Sequence, residues 1–179
     1  MTRRYPITQH RELQPSFRWS AFRQRRRPLV AASDEILVHR IGADYVAGTV
    51  DATTAAQATA VSAVNVRRNV TVVVQRNLES ADAEWDFPVA VTFHCTVVDP
   101  VAVVRARRTA AILTMNSFLA QAPRLGGVCE AYGPGDEERL RRDLASLLKL
   151  RPTHTSIPGV KAVVAGIDVG RARYLGSEA

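Results

Sequence analysis

The residues with chemically active side chains fall into two groups. One is the stretch SFRWSAFRQRRRP at 16–28, where Phe17, Trp19 and Phe22 are interleaved with Arg18, Arg23, Arg25, Arg26 and Arg27. The other is a scatter of His, Cys, Ser and acidic residues. Guanidinium forks pair with phosphate oxygens. Aromatic rings either seat at a lipid headgroup boundary or stack on unpaired bases. The first group is therefore suited to a polyanion. Residues 1–27 carry eight arginines against a single acid, Glu12, and account for the whole formal charge of +7. Beyond residue 27 the basic and acidic residues balance. The field of such a segment is local and decays over about 8 Å at physiological salt.

Three readings of the segment stand side by side. It is a solvated basic tail, an anchor on an anionic membrane, with about 1 kcal/mol for each Arg at the surface, or a strand-binding segment for nucleic acid. A nucleic-acid module normally continues its basic patch onto the folded surface, and here the remainder is neutral. Membrane ranks first and nucleic acid second. The residues expected to meet the anionic surface are Arg18, Trp19, Phe22, Arg23, Arg25, Arg26 and Arg27.

The second group has no catalytic spacing. His94 and Cys95 are adjacent, so on a strand they face opposite ways and cannot act as base and nucleophile together. Cys95 is expected in the core and His94 on the other face. His10, His39 and His154 lack H-x-x-x-H or H-E-x-x-H spacing. Cys129 is expected in a loop, as a redox-sensitive thiol at most. Asp82, Glu84 and Asp86 are spaced by two but fall short of a calcium-ligand set. Ser117, Asp136 and His154 form no triad, because no G-x-S-x-G elbow surrounds a serine. The glycines of GADYVAGT and LGGV match no phosphate-binding loop and read as turns. The expectation is a chain that is not an enzyme, with no cofactor, no metal and no small-molecule substrate.

The elements that must position these residues follow from periodicity. Residues 1–27 read as a flexible arm and 28–179 as one α+β domain. EILVHRI (35–41) and DYVAGTV (44–50) read as strands, VSAVNVRRNVTVVVQRN (61–77) as a Val/Thr-rich β segment, and 51–60 as either helix or strand. FPVAVTFHCTVV (87–98) is the clearest strand: Val89, Val91, Phe93, Cys95 and Val97 alternate with polar or small residues. Asp99 is an N-cap and Pro100 a first helical residue. A helix follows, strongest over 107–122, with Ile112, Met115 and Leu119 on its stripe. DEERLRRDLASLLKL (136–150) is a second helix, with Leu140, Leu144, Leu147 and Leu148 inward and Glu137–Arg141 and Glu138–Arg142 paired on the wet side. GVKAVVAGIDVG (159–170) is a last strand with Ile167 in the core. The fold expected is a mixed or antiparallel sheet packed against two amphipathic helices. The predominance of Arg over Lys, with abundant Ala and Val, points to GC-rich coding. No run of residues reaches the ~20 apolar positions of a membrane span, and the start lacks the apolar core of a secretory signal.

The order of these pieces resembles a known family. A Val/Thr strand ending in VTFHCTVVDP, two amphipathic helices with an LRRDL segment, and the closing strand GVKAVVAGIDV are similar to the SPFH domain, also called band 7 or prohibitin homology domain, of stomatins, prohibitins and flotillins. The resemblance covers about residues 30–170. It implies an SPFH-like α+β fold and a non-catalytic scaffold that self-associates or binds a partner protein. It also favours a membrane-associated place, cytoplasmic and peripheral to the inner face. The basic arm stands where the family carries a membrane hairpin or lipid anchor, and the chain reaches Ala179 without the family's long coiled coil.

Overall fold

In the computed structural model, residues 5–13, 29–109, 127–149 and 158–176 are described. Elements are β1 (Ile7–Glu12), β2 (Glu35–Ile41), β3 (Asp44–Ala47), α1 (Ala52–Gln57), β4 (Ala60–Asn65), β5 (Val70–Glu79), β6 (Trp85–Val97), α2 (Pro100–Thr109), α3 (Glu137–Lys149), β7 (Val160–Val169) and β8 (Arg173–Tyr174). The chain is α+β with antiparallel strand pairing. The sequence reading draws no boundary within 28–179, whereas residue contacts divide the described chain into two compact units. One holds 5–13, 29–68, 96–109 and 158–160; the other holds 69–95, 127–149 and 161–176. Each has its own four-stranded sheet, where the sequence reading expects one. The division falls inside the Val/Thr run at 61–77. Arg67 and Arg68 interrupt the apolar pattern, and Asn69 takes a positive φ of 53°, a conformation Asn tolerates better than branched residues.

The first unit's sheet runs β1-β4-β2-β3. β2 turns into β3 through Gly42 and Ala43, with Ile41 opposite Asp44. Gly42 supplies the positive φ of 59° that such a two-residue hairpin needs. Residues 51–60, ambiguous in sequence, become helix α1 because Asp51 caps it. Its Oδ1 accepts from the Thr53 and Thr54 N–H groups at 2.8 Å. β1 lies within the stretch expected to be a flexible arm, and this is a correction. Ile7–Glu12 pairs antiparallel with β4, and Pro6 before it is buried. Charge drew the boundary of the arm; register drew that of the strand. Leu13 N–H donates to the Thr59 carbonyl, and Val66 N–H donates to the Asp34 carbonyl, both at 2.8 Å. The chain on either side of residues 14–28 is thus tied to opposite ends of β4.

Helix α2 packs on β2, β3 and β4. Asp99 caps it as expected, its Oδ1 accepting from Ala102 N–H at 2.9 Å. Gly159 sits against this cap with φ 79°. A Cβ there would overlap the Asp99 carbonyl oxygen and approach Ala102 and Val103 to 3.1 Å. The Gly159 carbonyl accepts from both Val98 N–H, at 2.8 Å, and Asp99 N–H, at 3.1 Å.

In the second unit β6 lies between β5 and β7, and β8 adds to β6. β5 and β6 pair over ten residues, from Val70 opposite Cys95 to Glu79 opposite Asp86. Phe87, Val89, Val91, Phe93 and Cys95 of β6 are buried on one face, as period two requires. His94 is exposed on the other. α3 buries Leu140, Leu144 and Leu148, while Leu147 and, on β7, Ile167 are half-buried rather than core. The expected i, i+4 ion pairs are replaced. Glu138 grips Arg141 at i+3 with two bonds, at 2.9 and 2.6 Å. Glu137 turns back to accept from Ala172 N–H at 3.0 Å, which holds its carboxyl below the usual glutamate range. The stripe residues Ile112, Met115 and Leu119 lie outside the described residues.

Candidate functional site

The arginines and aromatics singled out in the sequence, Arg18, Trp19, Phe22, Arg23, Arg25, Arg26 and Arg27, all lie outside the described residues. No helix among the described residues is long and apolar enough to cross a membrane.

What the structure does assemble is a polar cluster in the first unit, from residues that sequence spacing leaves apart. Strand register sets His10, Ser62, Val38 and Ala47 in one cross-strand row, and Glu12, Ala60, Arg40 and Tyr45 in the next. Positions two apart share a face, so both rows look the same way, toward α2. There Val104 and Arg107 close over them, leaving a cavity of about 270 Å³. His10 is its hub. Nδ1 lies 2.9 Å from Ser62 Oγ, and Nε2 lies 3.0 Å from Glu12 Oε1. The tautomer protonated on Nε2 satisfies all three groups: it donates to Glu12 and accepts the Ser62 hydroxyl. Arg40 completes the network. Its Nη2 donates to Glu12 Oε2 at 3.1 Å and its Nε to Thr59 Oγ1 at 2.9 Å. Outside the cavity, Arg105 stands 5.7 Å over the Tyr45 ring, within cation–π range.

Ser62, His10 and Glu12 have the composition of a hydrolytic triad, but their placement argues against one. Ser62 is 1 % exposed. It lies in the middle of a strand paired on both sides, where backbone N–H groups are committed to the ladder and cannot form an oxyanion hole. The network's evident work is electrostatic: Glu12 neutralises Arg40 and orients His10. Arg107 is the exception. Its Nη1 is shielded from solvent and has no hydrogen-bond partner among the described residues. A buried charged donor left unpaired costs more than the ~1–3 kcal/mol of a neutral group.

Other candidates resolve plainly. Cys95 and Cys129 are both buried, and burial pushes each thiol up to about 11. Cys129 is thus no loop thiol open to redox chemistry, which corrects the sequence reading; a thiol held protonated is a poor nucleophile. Asp82 lies in the tight β5–β6 connection, its Oδ1 accepting from Glu84 N–H at 3.1 Å, while Asp86 is buried in β6. No cluster of three or more His, Cys, Asp or Glu suited to a metal ion occurs among the described residues. His39 faces away from the cavity on β2, and burial lowers its pKa from 6.5.

Sequence reasoning treats His10 as isolated. Glu12 is two residues along the same strand, but Ser62 is fifty-two residues away, and only the register of β1 on β4 brings it to His10. The one local signal was the alternation Thr8, His10, Glu12, which puts three polar side chains on one face of a strand. Comparison with protein-family models, curated proteins and solved structures finds no match.

Proposed function

We propose that this chain is a non-catalytic scaffold or assembly module of the SPFH type. It would be held peripherally at the inner face of an anionic membrane by the arginine and aromatic residues of 16–28. One observation carries the reading. The DP step that ends the long strand and the glycine that opens the last one are a single packed unit: Gly159 receives two backbone hydrogen bonds from Val98 and Asp99 and leaves no room for a side chain beside the Asp99 carbonyl. That sequence motifs 59 residues apart pack together supports the resemblance. The concentration of the excess charge in residues 1–27 supports the membrane contact. Self-association has a candidate surface in the outer face of the second sheet, where Val73 is 51 % exposed opposite Thr92, with His94 alongside.

The test is liposome co-sedimentation of the full chain. Truncation at Pro28 would remove β1, so the comparison variant keeps the chain whole and carries Trp19→Ser, Arg23→Gln, Arg25→Gln, Arg26→Gln and Arg27→Gln. Pelleting with anionic but not zwitterionic vesicles, lost in the variant and in high salt, is the expected result. Variant-sensitive binding to single-stranded DNA or RNA without pelleting replaces the reading with nucleic-acid binding. Sedimentation velocity addresses assembly; a monomer of 19.6 kDa at micromolar concentration removes the scaffold in its simple form.

A further inference from the structure

We propose that the cavity beneath α2 in the first unit binds a small organic carboxylate, with the Arg107 guanidinium as its partner. Four observations converge. The cavity is a partly open cleft lined by side chains of β1, β2, β3, β4 and α2, and its volume of about 270 Å³ is near the lower end of the ~300–1,000 Å³ typical of ligand sites. Arg107 lines it and makes no ion pair with any described residue, and its solvent-shielded Nη1 has no hydrogen-bond partner among them. A guanidinium has five donors in a planar fork, and the two parallel bonds it makes best are to a carboxylate or phosphate. The remaining wall is divided: Val38, Ala60, Val104 and the Tyr45 ring offer apolar contact, while the donors of Ser62 and His10 are already engaged with each other and with Glu12, which leaves Arg107 as the donor to a ligand.

The charge balance selects the carboxylate. Arg40 is already paired with Glu12 at 3.1 Å, and Glu12 holds His10 at 3.0 Å. Among the described residues that line the cavity, this leaves one cation, Arg107, without a counter-charge. A monoanion neutralises the cavity. A phosphate dianion would leave one negative charge in excess beside the Glu12 carboxylate, and like charges repel. The site is independent of the membrane reading, because none of its residues belongs to the 16–28 segment.

The experiment is a ¹⁵N–¹H NMR titration of the full chain with sodium acetate, isovalerate and benzoate in turn, at constant ionic strength, with inorganic phosphate in parallel. Saturable shifts are expected at the amides of 38–40, 60–62 and 104–107 with at least one carboxylate. Arg107→Met should weaken that binding at least about tenfold, the effect of losing a charged hydrogen-bond pair. The variant is expected to fold, since it replaces a half-buried cation that lacks an ion-pair partner among the described residues while keeping an apolar stem; circular dichroism checks this. Arg107→Lys, which keeps the charge but loses the fork, should bind more weakly than the parent. Arg173→Gln, in the other unit, should bind as the parent does. Absence of saturable shifts with all three carboxylates, parent-like affinity in Arg107→Met, or tighter binding of phosphate than of any carboxylate would each overturn the proposal.

Discussion

The two sheets are built from similar numbers of antiparallel strands, yet their buried faces differ in kind. In the second unit β6 lines its face with Phe87, Val89, Val91, Phe93 and Cys95, all essentially inaccessible. In the first, the central strand β4 buries Ala60, Ser62 and Val64, with half-buried His10 and Arg40 and exposed Glu12 on the strands beside it. The apolar face excludes water and fills space with large side chains, so its stability comes from burial. The polar face uses small residues on the central strand and long charged ones on its neighbours. Hydrogen bonds satisfy most of it, and a cavity remains. A fold needs the first kind of interior, whereas a recognition site needs the second.

Substitutions can break that contrast at its strongest point first. Phe93→Ala should cost about 3–5 kcal/mol in denaturant unfolding, and Leu144→Ala about 2–5, as truncations in close-packed cores do. A change within error for Phe93→Ala would mean that the second unit's face is not the dry core described. Next comes Gly159→Ala in the first unit, expected at about 2 kcal/mol or more. Left-handed backbone penalises a Cβ, and here the Asp99 carbonyl blocks it as well. A neutral outcome would remove the link between the DP step and the last strand.

The third prediction concerns pH and belongs to the first unit. His39 has its pKa lowered below 6.5 by burial. In acid the unfolded chain binds a proton that the folded chain resists, so stability rises with pH through this window. Its contribution is complete above about 6.5 and is lost as pH falls toward the folded value. His39→Leu should flatten the stability profile between pH 5 and 6.5 relative to the parent. An unchanged slope would show that the imidazole is solvated. The smallest effect is expected at α1. Asp51→Ala removes the cap of a helix with no buried residue, so amide exchange in 52–57 should speed up while global unfolding barely moves. A large loss of global stability would show that α1 is part of the core after all.

How much of this was legible depends on the range of the signal. β2 and β6 could be read because their residues alternate locally and their apolar face is continuous. α3 could be read because Leu140, Leu144 and Leu148 repeat at helical spacing. β1 could not: ITQHRE is polar, sits among arginines and becomes a strand only by pairing with β4 some fifty residues on. The single-sheet expectation failed for a related reason. Two arginines and an asparagine inside a Val/Thr run look like surface positions of one long strand, but they end one sheet and precede the other. The cavity cluster was the least legible. No two of His10, Ser62, Arg40 and Arg107 are close in sequence, and Arg107 stands out only through what is missing around it. The N-cap at Asp99 was visible; its contact with Gly159 was not, since nothing in a glycine's neighbours announces what a side chain would strike.

The pairing of β1 and β2 on either side of β4 turns the basic segment into a leash fastened at both ends. Glu12 lies opposite Ala60 and Glu35 opposite Asn65, so the chain between Leu13 and Asp34 begins at one end of β4 and finishes at the other. Chain length alone limits its midpoint to about 35 Å from the sheet, at ~3.4 Å per residue. A free terminus of the same composition could wander and flip without consequence for the domain behind it. A segment fastened at both ends cannot: whatever holds it also restricts how β4 is oriented and how far away the sheet can drift. An anionic surface that takes hold of Trp19 and the arginines would therefore restrain the orientation of the first unit as well as its distance.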